Sequence, residues 1–96
     1  MIFMIDDVYL QLRELGVVQN KSDFSMTWLG KEKSYYRGLL SKQREPSVDA
    51  LAHCASKLRT VSVYLPSSKK RVMGRLANQC LEELLSSKVR QSHALH

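Results

Sequence analysis

Two cysteines are all that the 96 residues hold, and neither lies in a CxxC pair or next to a histidine pair, so neither a disulfide framework nor a zinc site is indicated. Cys54 reads as a buried thiol and its neighbour His53 as a surface imidazole, because adjacent side chains on a helix point in different directions. No apolar run approaches the length of a membrane span. The opening MIFMI is too short for the hydrophobic part of a signal peptide and runs straight into Asp6 and Asp7. A reducing cytoplasm with no membrane partner is the expected setting. Catalytic signatures are missing too: there is no glycine-rich phosphate loop or nucleophile elbow, the acids are scattered, and the three histidines are His53, His93 and His96. A non-enzyme that uses no cofactor and no metal is expected.

Acids are scarce as well, nine against fifteen Lys and Arg, for a net charge of +6. The excess is uneven. Residues 1–30 carry four acids and two bases, residues 31–58 six bases and three acids, and residues 59–96 seven bases and two acids. A basic surface on so small a domain points first to nucleic acid or an anionic membrane and only second to solubility. With 44% hydrophobic and 25% charged residues the chain has a globular composition, and its length allows one domain with a modest core.

Helical periodicity dominates. Ile5, Val8, Tyr9, Leu12 and Leu15 recur at three- and four-residue steps, and Gly16 stops that first helix. Asn20 can cap a second helix, with Asp23 three residues on, an apolar face of Phe24, Trp28 and Leu29, and Gly30 as its end. A third helix is expected over Glu32 to Ser41, its narrow inner stripe made by Tyr35, Tyr36, Leu39 and Leu40. After Pro46, Ser47 caps a fourth helix with Val48, Leu51, Ala52, Ala55 and Leu58 inside. In RTVSVYLP the period changes: Val61, Val63 and Leu65 alternate with Ser62 and Tyr64, as in a short strand over 61–65 or an extended linker. A last helix follows with a broad stripe from Val72 to Leu85, opened by Lys69, Lys70, Arg71 and Arg75 against the preference of a helix start for acids.

The run from Asn20 to Leu58, with its capped second helix, the Leu29-Gly30 turn, the polar third helix and the REPSVDALAHCASKL exit, resembles the helix-turn-helix domains of the phage-repressor and Cro type, often called XRE-like. The chain also resembles small uncharacterised bacterial proteins with a WLG…SYY…PSV.AL pattern, a likeness that brings no activity. The first resemblance implies an all-α fold, a compact four-helix helix-turn-helix domain over 1–58, joined by 59–66 to a C-terminal helix over 67–90 and a frayed tail over 91–96. It implies a regulator that binds double-stranded DNA with the third helix in the major groove. Base contacts would fall to Lys33, Ser34 and Arg37. Backbone contacts would fall to Lys21, Ser22, Lys31, Tyr35, Lys42, Gln43 and Arg44. The small residue of the pattern's second helix is Ser25, provided that the turn through Gly30 holds one extra residue. The acid and glycine common after the third helix would stand at Leu40 and Lys42 and are absent.

A homodimer is expected through Val61, Val63, Met73, Leu76, Cys80, Leu81 and Leu84, the rival being a last helix that folds back on its own domain. The alternative function is a helix-turn-helix scaffold turned to a protein partner, an antiactivator or phage-type inhibitor, for which the Leu39-Leu40 pair speaks.

Overall fold

The computed structural model describes residues 3–94, with side chains through Ser86; of the frayed tail expected over 91–96, the backbone of 91–94 continues the last helix and 95–96 fall outside the described residues. The described chain is all-helical: α1 (Met4–Glu14), α2 (Lys21–Asp23) running into a π-helical turn (Phe24–Trp28), α3 (Tyr35–Lys42), α4 (Val48–Ser62) and α5 (Ser67–Ala94). Asp6 accepts the Phe3 amide at the head of α1, and Gly16 takes a left-handed φ of 78° after its end. Asn20 caps α2 by accepting the Asp23 amide at 2.8 Å, and Ser47 caps α4 by accepting that of Ala50.

No strand forms among the described residues, so the short strand expected over 61–65 is corrected. The α4 stripe of Leu51, Cys54, Ala55 and Leu58 continues into half-buried Val61. Beyond it the Tyr64 and Leu65 amides bond back to Val61 and Ser62 at 3.0 and 3.1 Å. A lone strand would have had no partner for those groups, and two local turns supply one.

One core unites α1, the π-helical turn, α3, α4 and α5. Ile5, Val8 and Leu12 of α1, Phe24 and Trp28 of the π-helical turn, Tyr36 and Leu39 of α3 and Ala50, Cys54, Ala55 and Leu58 of α4 meet Met73, Leu76, Ala77 and Cys80 of α5. Met73, Leu76 and Cys80, expected at a dimer interface, are therefore inside the chain's own core. The reason is geometric: the tight corner after α4 turns α5 back along it, and the broad stripe of α5 finds its cover there. The free thiols of Cys54 and Cys80 meet between the two helices, where their mutual hydrogen bond and burial raise the Cys54 thiol above its ordinary range. The basic opening of α5 also finds a local reason. Lys69 Nζ donates to the carbonyl oxygen of Leu15 at 3.3 Å, so the cation sits at the negative end of α1.

Candidate nucleic-acid interface

The junction of α2 and α3 is built around one buried hydroxyl. The π-helical turn accommodates an extra residue and swings Ser25, fully buried, toward α3. Its Oγ donates to the Lys21 carbonyl oxygen at 2.8 Å and accepts the Tyr36 amide at 3.0 Å. That amide is one of the unpaired donors at the head of α3, and Ser34, the residue at the cap position, makes no side-chain cap because its hydroxyl is taken by Glu32. Inward, Tyr36 packs with Tyr9 and Phe24 at ring separations of 5.1 and 4.9 Å and donates its phenol to Asp6 at 2.6 Å. Burial first, and then the hydrogen bond to Asp6, push that phenol far above the ordinary tyrosine range.

With Tyr36 and Leu39 facing the core, the opposite side of α3 faces outward. The helix begins at Tyr35, three residues later than the expected Glu32, because the Glu32 carbonyl accepts the Tyr35 amide in a turn and its carboxylate holds Ser34. Lys33 and Ser34 thus stand, exposed, on the turn before α3 instead of in its first coil. Arg37 is on the helix itself, and its Nη1 donates to Ser22 Oγ at 3.0 Å, bringing Arg37, Ser22 and neighbouring Lys21 together where α2 begins. Lys42, Gln43 and Arg44 are exposed at the far end. There Gln43 adopts a left-handed φ of 52°, and the Arg44 amide closes on the Leu39 carbonyl at 2.9 Å.

Besides Ser22, two of the expected backbone contacts, Lys31 and Tyr35, are engaged within the chain. Lys31 pairs with Asp49 at 2.7 Å and sits 5.8 Å from the Tyr35 ring centre, and the bond to Asp49 raises the Lys31 ammonium while lowering the Asp49 carboxyl. Tyr35 accepts the Ser47 amide at 3.0 Å, tying α3 to the head of α4. His53 lies exposed against the turn, its Nε2 donating to the Thr27 carbonyl oxygen at 3.3 Å. Gly30 is obligatory beneath it: φ is 64°, and a Cβ there would stand 2.9 Å from the His53 ring.

A shallow groove crosses α3 from Glu32 to Arg44, bordered by Tyr35 and Lys42. Gly38 lines it, and a Cβ at that position would meet nothing within 4 Å. Sequence reading passed over Gly38 and Asp49. An isolated glycine inside a helical pattern was the available signal for the first; nothing local announces that Asp49 pairs with a lysine 18 positions earlier.

A family model matches residues 5–95, which takes in all five helices. The chain belongs to a family of unknown function (DUF6626). The DUF6626 match does not stop at Leu58, so α5 is part of the family's unit, as the shared core requires. No curated protein and no solved structure matches the chain. Among the described residues of this DUF6626 chain there is no cluster of metal-ligating side chains, and no helix is long and apolar enough to cross a membrane.

Proposed function

We propose that the chain is a cytoplasmic DNA-binding regulator of transcription without catalytic activity, which places α3 and the turn before it in the major groove. The observation that carries this reading is the two-sidedness of α3. Its inner side is fixed through Tyr36 to Ser25 and Asp6, while Lys33, Ser34, Arg37, Lys42 and Arg44 are exposed together with the turn and the helix end. Lys33, exposed on the turn before α3, reads base edges, and Ser34 accepts from them through the lone pairs that its bond to Glu32 leaves free. Arg37, tethered by Ser22, spans the base edges and the phosphate beside α2, and Lys21, Lys42, Gln43 and Arg44 hold the flanking backbone. Lys31 and Tyr35 act by fixing the turn to α4. Gly38 supports the reading, since a bare backbone on an outer helix face lets a large ligand come close.

Two copies would read a partly palindromic operator, their third helices about 34 Å apart. Of the residues expected to pair them, Val61 and Val63 lie at the α4–α5 corner, whereas half-buried Leu81 and Leu84 stand beside Leu85, which is 62% exposed. The pairing surface is therefore assigned to the Leu81–Leu85 turn of α5.

Titrating salt against binding to native promoter duplexes tests the function. Affinity should fall steeply with salt and differ between fragments, and Lys33→Ala with Arg37→Ala should abolish the preference without lowering the melting temperature. Binding no tighter than that of an unrelated basic protein sinks the proposal. One observation favours a protein partner instead: Leu40, 38% exposed, borders a hollow with Phe3, Asp6 and Gln43. Regulation that survives the Lys33 and Arg37 substitutions in cells selects that reading.

A further inference from the structure

Between Ala50 and Leu81 the sequence contains six basic residues and no acid. The fold gathers five of them at one end. Arg59 lies in the last turn of α4, and Lys69, Lys70 and Arg71 lie in the first turns of α5, within about 6 Å of the corner along their helices; Arg75 is about 12 Å along α5. All five are exposed. The end of α1 adds one charge of each sign, Arg13 and Glu14, and Lys69 also bonds to Leu15 there. At the corner itself Val63 is 65% and Tyr64 85% exposed, while Leu65 packs against the core and holds the corner in place.

We propose that this corner docks on an anionic lipid surface, peripherally and without insertion of a helix. The cations alone fit any polyanion, but the two protruding apolar side chains decide among partners. A duplex backbone takes a tyrosine against its sugars and phosphates but offers Val63 only phosphate and water. A bilayer takes the valine into the acyl boundary, holds the tyrosine ring at headgroup depth and meets the surrounding cations with anionic headgroups. The docking surface is independent of the DNA reading: Val48, at the α3 end of α4, is separated from Ser62 at the corner by about 21 Å of helix.

The test uses the full chain in co-sedimentation with vesicles of phosphatidylcholine alone and of phosphatidylcholine with one part in three phosphatidylserine. Binding is expected only to the anionic vesicles. Lys70→Gln with Arg71→Gln should lower the partition about thirtyfold. Val63→Ser with Tyr64→Ser should lower it at least about tenfold. Melting temperatures should stay unchanged in both variants, because all four side chains are exposed. A Tyr64→Trp variant should shift its emission to the blue with anionic vesicles, against the constant signal of buried Trp28. Absence of phosphatidylserine dependence, or of the emission shift, overturns the proposal. So does a loss confined to the charge variant, which would assign the surface to a polyanion such as DNA.

Discussion

Ser25 Oγ accepts the backbone amide of Tyr36 at 3.0 Å, so a side chain from the π-helical turn caps a helix that begins ten residues later. The two ends of the junction are held by one buried atom. Ser25→Ala should destabilise the chain by about 1–3 kcal/mol, because the amide loses its partner in a dry site. Urea denaturation measures this, and a cost below the error of the midpoint would assign the capping of α3 elsewhere.

Gly38 and Gly30 should respond to alanine in opposite directions. At Gly38 the added methyl meets nothing, so helix propensity should raise stability by about 0.5–1 kcal/mol, while affinity for promoter duplex falls if α3 enters the groove. A stabilised Gly38→Ala protein that binds DNA as before removes Gly38 from the interface. At Gly30 the same change imposes about 1–2 kcal/mol of left-handed strain, with the close approach to the His53 ring added. Adding His53→Ala should recover only the second part.

Gln43 holds a left-handed conformation at the end of α3 that suits glycine better. Gln43→Gly should raise the denaturation midpoint, by about 1 kcal/mol in free energy. Thermal melts of the two proteins side by side check the sign.

The phenol of Tyr36 is held protonated by burial and by Asp6, above the ordinary tyrosine value of 10.0. Its folded-state value is the raised one, so the stability it contributes is complete below about pH 10 and is lost as pH rises beyond that. Tyr36→Phe should be less stable than wild type at neutral pH, by about 1–3 kcal/mol for the abandoned carboxylate. Its stability should also fall less between pH 10 and 11. Parallel slopes in that window would contradict the assignment.

Leu76 and Leu85 separate core from surface on α5. Leu76→Ala should cost about 2–5 kcal/mol, since the side chain is fully buried in the shared core. Leu85→Asp should leave the melting temperature within a degree or two and be visible only in light scattering, as loss of dimer. A wild-type chain that stays monomeric well above micromolar concentration removes the pairing proposal for the Leu81–Leu85 turn.

Much of the fold was legible in local sequence. Caps at Asn20 and Ser47, stops at Gly16 and Gly30, and three- and four-residue apolar spacing announce five helices, because each depends on groups only a few residues apart. The outward set Lys33, Ser34 and Arg37 was legible for the same reason, although α3 starts at Tyr35, three residues beyond where its local pattern begins. Where groups distant in sequence had to choose partners, local pattern was silent or misleading. The alternation of Val61, Val63 and Leu65 describes a strand equally well, and only the absence of a second strand to satisfy its backbone turns it into the end of α4 and a corner. The stripe of α5 shows an apolar face without saying what covers it, and packing against α4 gives Met73, Leu76 and Cys80 to the chain's own core. Lys31 with Asp49, Arg37 with Ser22, Lys69 with Leu15 and Ser25 with Tyr36 are likewise decided by which surfaces meet. Periodicity and capping are properties of neighbours along the chain. The partner of a charge or of a buried hydroxyl is a property of the packed core, where desolvation makes one pairing far better than the rest.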